Sequence, residues 1–571
     1  MAIPKHEARR LLLLRVAAAD GIGVSSSEDL RCRRLRTNCA KSSRNNRSSA
    51  DFATCVRWLQ AAVAVLALFA ADRALAGHTY YVAPNGSDHS SGSVDNPFGT
   101  LDHAIHVAVP GDTVYARGGT YTLDHRLLID KAGSANSPIN LWAVPGETPI
   151  LDFSSNPRHA SPPQPRTNDS VAATNDALGI YVANGGNWWH LKGLTIQNAP
   201  YYGVRVYGSH NIFEQLTLRY NKASGLEITG KDSLTPSYNL VLNCDSYLNF
   251  DPQTNGEDAD GFAAKFDTLG PGNVLRGLRA WSNSDDGFDF WHATPGVLVE
   301  DCWSFDNGFK RSQWATQVKG SWRGDGLGFK LGASAGQLVL NRVVAWGNKA
   351  FGIDENGNGH PDGVIIRNAT LVNNAKDGNP VQISLDDGMP HTVTNTIAFD
   401  LDGSGVTKFK GPVKGTFNTW NDIGVSAADF KSLDMDALFA AATAPRRDDG
   451  SLPEIGLRLA PSSHLIDAGM DVGLPYLGTA PDLGALEFSV EGDLTGDLCV
   501  DLLDLVVFVR YWLTSGSSAA DLDGSGFVDL KDFAAFTWNW PPRCAVWTNV
   551  TAATVGMPRR HLHLHGGVSI P

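Results

Sequence analysis

Between about residues 185 and 400 one short pattern recurs. Apolar and polar residues alternate over a few positions, turn, alternate again and close near an asparagine. The copies include HLKGLTIQN, HNIFEQLTLRYN, NLVLNCDSYLN, NVLRGLRAWSN, GVLVEDCWSFDN, QLVLNRVVAWGN, GVIIRNATLVNN and HTVTNTIAFD. A two-residue period predicts strands, and helical periodicity is almost missing here. The closing asparagines are Asn198, Asn221, Asn249, Asn283, Asn307, Asn348 and Asn374, spaced 23, 28, 34, 24, 41 and 26 residues apart. A base period near two dozen with insertions is the signature of a solenoid. The pattern predicts an all-β fold of stacked parallel coils, a β-helix. The asparagines are expected at left-handed turn positions, each amide bonding the asparagine one coil above. Upstream, TYYVAPNGSD opens with a strand, Leu101–Ala108 has a short helical pattern, and a further strand follows Gly111. That helix is expected to cap the open end of the stack, which would otherwise invite edge pairing.

The pattern stops before about residue 420. A Pro/Gly-rich stretch through SSHLIDAGMDVGLPYLGTAPDLGALE reads as an ordered covering segment. Beyond it lies a different signal. Asp493, Thr495, Asp497, Asp501 and Asp504, then Asp521, Asp523, Ser525, Asp529 and Asp532, place side-chain oxygens at loop positions 1, 3, 5, 9 and 12. That is EF-hand spacing for calcium, with Asp rather than Glu at position 12. An apolar helical stretch follows each loop, and the pair resembles a type I dockerin repeat. The first loop lacks the usual glycine after position 5.

At the other end, a basic flank, an apolar run and Ala74-Leu-Ala76 make 57–76 a secretory signal. About fifty Arg- and Ser-rich residues precede it, so 1–56 is expected to be a misassigned or disordered extension. The expected organisation is then 77–488 β-helix, 490–544 dockerin-like module and 545–571 tail. Mature protein is expected outside the cell, or on its surface through a partner.

Charge sharpens the functional reading. The formal net charge of the 571 residues is −13. Residues 1–76 hold 13 Lys/Arg against 6 Asp/Glu, and the remainder 34 against 54, a net of −20. Such a surface argues against nucleic-acid binding, yet bound divalent cations can bridge an acidic protein to an acidic polymer. No CxxC pattern supports zinc. Cys244 and Cys302 fall in strand patterns and are expected in the core. A Cys499–Cys544 pairing is the remaining disulfide candidate.

The candidate chemistry lies in three stretches: Asp260-Gly-Phe-Ala-Ala-Lys265, Asp286-Gly-Phe-Asp-Phe-Trp291 and Asp325-Gly-Leu-Gly-Phe-Lys330. Aligned by their Asp-Gly pairs, Asp260, Asp286 and Asp325 share one stack with rungs ~4.8 Å apart. Asp260 then approaches Asp285, Asp286 and Asp289. Four carboxylates so placed repel unless a cation joins them, and calcium takes ~6–8 oxygens. In this frame Lys330 lies one coil above and two positions beyond Asp289, within roughly 10 Å of the metal. A cation would depress its pKa and make it a base. Lys265 is a weaker candidate, for a substrate carboxylate. These groups suit β-elimination from an acidic sugar: calcium on the carboxylate, the lysine taking the C5 proton, and the C4 oxygen leaving.

At these residues the chain resembles polysaccharide lyase family 9, the pectate lyases and related exopolygalacturonate lyases. ADGFAAKF, GPGNVLRGLRAWSNSDDGFDFW, VLVEDCWSFDNG and GDGLGFKLG carry the likeness, which extends over roughly residues 78–488. The resemblance implies a right-handed parallel β-helix, calcium on Asp260, Asp285, Asp286 and Asp289, and Lys330 as catalytic base. An insertion at 309–323 departs from the even spacing. The dockerin likeness implies a cohesin-type partner, and a monomer is expected otherwise. Two alternatives remain. A β-helical polygalacturonase would use paired aspartates, but the Gly-His-Gly and Arg-Ile-Lys motifs of that family are missing. A non-catalytic glycan-binding surface protein would use calcium structurally.

Overall fold

The computed structural model describes residues 77–538 apart from 160–176, 333–336, 357–362, 376–378, 387–389, 496–499, 523–524 and single positions at 232, 267, 404, 448, 491, 517 and 519. The signal, the extension and the tail lie outside the described residues, as do Asp497, Cys499, Asp523 and Cys544. Three parallel sheets, one of eleven strands and two of ten, wrap a single interior. Each coil contributes one strand to each sheet in turn, as in Leu240–Leu242, Asp245–Tyr247 and Phe262–Lys265. Here the eleven-stranded sheet is called the first, that of Asp245–Tyr247 the second and that of Phe262–Lys265 the third. Parallel register places like residues on successive rungs, so inward positions form apolar columns. Phe262, Phe288 and Phe329 stack in this way, with centroids 5.6 and 4.7 Å apart. The helix Leu101–Val107 closes the N-terminal end, burying Leu101, Ala104 and Ile105.

The asparagine ladder is present with two changes. Asn221, Asn249, Asn283, Asn307 and Asn348 each donate through Nδ2 to the next coil's Oδ1, at 2.9–3.1 Å, and Asn374 continues to Gln382. The left-handed position is the residue before each: Tyr220, Leu248, Ser282, Asp306, Gly347 and Asn373. Asn198 takes that preceding place itself, with φ 58°, so it stands outside the ladder and Ala199 holds the ladder position. A ladder amide must face inward to meet its neighbours, which an extended residue after the turn allows. A second ladder, Asn211–Asn239–Asn273, lines another corner. Its asparagines open strands rather than close them, so they fall outside the closing-asparagine pattern.

Asn307 is fully buried and bonded on both side-chain polar atoms, to Asn283, Asn348, Ala280 and Ser304. Replacing it with Ala strands at least two buried groups at about 1–3 kcal/mol each, for an expected loss of about 2–6 kcal/mol. A lower guanidinium midpoint with an unchanged m-value checks this.

Outside the second sheet the rings of Tyr247, Trp281, Phe305 and Trp346 stack in sequence, 4.3, 5.7 and 4.2 Å apart. The segment after residue 420 lies on them. Phe430, Leu438, Leu457, Leu465 and Leu483 join that cluster, as expected of a covering segment. Cys244 and Cys302 are buried free thiols; burial pushes Cys244 up to about 12, where it is unreactive. Near the C-terminus, Leu502–Arg510 and Leu530–Trp538 form helices. They share a small core of Val500, Phe508, Ala520, Val528 and Phe536.

Candidate active site

The third sheet carries the chemistry on its outer face. Its coils share a frame of glycine followed by alternation: Gly203-Val-Arg205, Gly225-Leu-Glu227, Gly261-Phe-Ala263, Gly287-Phe-Asp289 and Gly328-Phe-Lys330. The glycine is required because the next coil's backbone comes too close. A Cβ on Gly261 would lie 2.7 Å from the Gly287 carbonyl, and one on Gly328 2.4 Å from the Gly352 carbonyl.

This frame corrects the alignment by Asp-Gly pairs. The amide of Gly261 bonds the Asp286 carbonyl, and that of Gly287 bonds Leu327. Leu327, not Asp325, therefore stands above Asp286. The third copy slides by two residues, and Lys330 pairs directly with Asp289 on the adjacent rung instead of lying two positions beyond it. It occupies the fourth place in its copy, so it is not the counterpart of Lys265. Because the slip is even, every side chain keeps its face.

The carboxylates come together. Oxygens of Asp260, Asp286 and Asp289 lie within 4.8 Å of one another, as do those of Asp285, Asp286 and Asp325, so Asp286 belongs to both groups. The first four aspartates are buried and Asp325 is exposed. Backbone amides aim them: Asp258 and Asp325 donate to Asp285, Leu327 to Asp286, and Trp291 to Asp289. Oδ2 of Asp286 has no hydrogen-bond partner. Its neighbour is the Lys330 ammonium at 3.2 Å, too poorly aligned to count as one. Lys330 also lies 3.8 Å from Asp289 and 3.7 Å from Asp325. Lys265 bridges Asp260 at 2.8 Å and Asp289 at 2.6 Å. It is thus part of the cluster's charge balance.

Electrostatics follow from this crowding. Burial and the Asp286 charge hold Asp285 well above the usual carboxylate range, and burial pushes Asp286 up to about 8. Asp289 goes down, because Lys265 and Lys330 outweigh its burial. Burial pulls Lys330 down, but Asp286, Asp289, Asp285 and Asp260 outweigh it and hold the ammonium charged. The protein's own charges therefore act on Lys330 against the depression expected from sequence. An all-oxygen donor set with one unbonded buried carboxylate oxygen fits a hard cation such as calcium.

The cleft above these groups measures about 370 Å³, and Tyr202, Glu227, Glu257 and Trp291 help to line it. Sequence reading missed Arg205 and Glu227, which lie on the Ala263–Asp289–Lys330 column. Both are buried, 3.4 Å apart, with the Arg205 guanidinium 4.4 Å from the Tyr202 ring centre. The Gly-x-Arg and Gly-x-Glu frames were the available signal.

In the C-terminal module, Asp504 accepts from the amides of Leu494, Thr495 and Asp501. Asp521 accepts from Ser525 and Gly526, and Asp532 from Asp529. Asp493 accepts from the Thr495 hydroxyl, and Asp501 caps the following helix.

A right-handed parallel β-helix with this site defines a polysaccharide lyase. The chain belongs to the family described as Pel9A-like, right handed beta helix region, which it matches over residues 80–384. It is similar to pectate lyase L of Dickeya chrysanthemi, 36% identical over 423 residues that span 72% of this chain and 90% of that one. Among solved structures it resembles pectate lyase Pel9A, with a TM-score of 0.59 and 34% identity over 72% of this chain and 96% of that one. A rhamnogalacturonan lyase matches at TM-score 0.55 and 27% identity, over 67% and 97% of the two chains.

Proposed function

We propose that this chain is a secreted, calcium-dependent pectate lyase that cleaves (1→4)-α-D-galacturonan by β-elimination. The observation that carries the reading is Lys330 on the rung beside Asp289, with its ammonium 3.2 Å from Asp286 inside a cluster of buried aspartates. Asp260, Asp285, Asp286 and Asp289 would hold the calcium. When bound, the ion would offset aspartate charge and withdraw electrons from a uronate carboxylate. With less negative charge around it, Lys330 is governed by its burial, which favours the neutral amine. That amine accepts the C5 proton, the C5–H electrons form the C4–C5 double bond, and the C4 oxygen leaves with its bonding pair and takes a proton from solvent, giving a 4,5-unsaturated end. The Trp291 ring centre lies 5.9 Å from the Lys330 nitrogen. The names of the relatives, pectate lyase L and pectate lyase Pel9A, support pectate as substrate.

The test is absorbance of unsaturated ends from polygalacturonate with calcium at alkaline pH. Reducing ends without absorbance would mean hydrolysis. Tight binding without turnover would mean a binding protein. Turnover of rhamnogalacturonan alone would move the substrate to that of the second solved relative.

The paired C-terminal loops are assigned to calcium and to a cohesin-type partner. Leu502, Val506 and Val509 support this: they form one helical stripe and are 67, 53 and 61% exposed. Capture of the full chain on an immobilised cohesin is expected with calcium and should be lost with chelator. Asp521→Ala should weaken capture while leaving pectate cleavage intact.

A further inference from the structure

The insertion that breaks the even spacing has an unusual composition. Residues 309–323 read FKRSQWATQVKGSWR, with four cations and no carboxylate, although the chain beyond residue 76 has a net charge of −20. The loop is also firmly held. Trp314 and Trp322 lie nearly parallel to Phe250, with centroids 4.7 and 6.0 Å from it. Trp322 Nε1 donates to the Gly308 carbonyl at 2.7 Å, and the Lys319 and Gly320 amides donate to Asn255. Phe250 and Asn255 belong to the segment that continues to Glu257 and Asp258 in the cleft wall. Immediately after the loop, the Asp325 amide bonds Asp285.

The loop's charges divide into two sets. Arg311 pairs with Asp306, and Arg323 pairs with Glu257 at 2.6 Å, cancelling one negative charge of the cleft wall. Lys310 and Lys319 are exposed, and neither has an ion-pair partner among the described residues. Aromatic anchors on a polar loop hold two unmatched cations beside an acidic cleft. Inside the cleft Lys265 and Lys330 are matched by the aspartates around them, so a polyanion approaching it meets unmatched positive charge along this edge.

We propose that residues 309–323 form a basic arm that holds the acidic polymer beside the bond-breaking centre, with Lys310 and Lys319 taking uronate carboxylates outside it. This rests on the reading of the chain as a pectate lyase. The arm acts on polymer capture, not on proton transfer, so it raises affinity for long chains and leaves the chemical step alone.

The experiment compares the full-length protein with Lys310→Gln/Lys319→Gln on polygalacturonate and on trigalacturonate. Both are assayed at about 20 mM and about 300 mM salt, where screening lengths are about 20 Å and about 6 Å. At low salt the polymer KM should rise about threefold per lysine, about tenfold for the pair, with kcat unchanged. The difference should shrink at high salt and be missing on the trimer. Lys319→Glu should exceed Lys319→Gln. Equal polymer KM at low salt, or the same loss on trimer and polymer, overturns the proposal. Failure of the parent protein to release unsaturated ends would sink the lyase reading instead. The arm is then judged by retardation in a polygalacturonate gel: greater retardation of the parent than of the variant supports it, and equal retardation refutes it.

Discussion

Lys330→Ala should lower kcat on polygalacturonate by at least about 10³-fold, the upper part of the range for losing a positioned general base. Its calcium affinity should be unchanged or slightly tighter, because the ammonium sits 3.2 Å from Asp286 and opposes a second cation there. Lys330→Arg should be nearly as inactive, since guanidinium keeps its charge at any working pH and cannot accept a proton. Single-turnover kinetics and calorimetric calcium titration check both halves. Retained turnover in Lys330→Ala would remove this lysine from the chemistry and leave it as a counter-ion of the aspartates.

Asp286→Asn is expected to weaken calcium binding by about 100-fold, because this carboxylate is the member common to both acidic groups and ligand charge tunes affinity. The same change should stabilise the calcium-free protein. In the folded chain Asp286 is raised to about 8 from an ordinary 3.8, chiefly by burial. Below about pH 4 both folded and unfolded forms are protonated and the residue is neutral in its effect. Between about pH 4 and 8 the unfolded chain loses this proton while the folded one retains it, so stability falls as pH rises. Above about 8 the penalty is constant. The variant's advantage should therefore grow across that window and level off, reaching about 1–3 kcal/mol. Asparagine keeps an oxygen for the Leu327 amide. Melting temperatures at several pH values in chelator, beside calorimetry with calcium, test the two claims separately. A variant less stable than the parent at pH 8 would contradict the electrostatic account.

Much of the site was legible in sequence because stacking is a one-dimensional problem. Asp285, Asp286 and Asp289 lie within five residues of one another, and Asp260 is one coil away, so their convergence needed only the repeat length. The frame of Lys330 was harder. The Asp-Gly pair at 325–326 imitates the copies at 260 and 286, but the insertion before it shifts the true glycine to Gly328. Close approach of the next coil's carbonyl, invisible in a linear pattern, selects that glycine. Asn198 shows the same limit. It closes a strand just as Asn221 does, yet it occupies the left-handed corner, one residue before the inward-facing place.

The sequence by itself determined the architecture and the residue types of the chemistry. Alternation, a recurring period and inward-facing asparagines permit little except stacked parallel coils, and neighbouring carboxylates must be offset by a cation or a proton. Tertiary structure alone decided register and partnership. It set Lys330 beside Asp289, drew Lys265 between Asp260 and Asp289, brought Arg205 and Glu227 onto the same column, and anchored the 309–323 loop on Phe250. Those outcomes depend on hydrogen bonds and ring contacts between residues one coil or more apart. Insertions of variable length separate such residues in sequence, and only the folded stack fixes which rung each reaches.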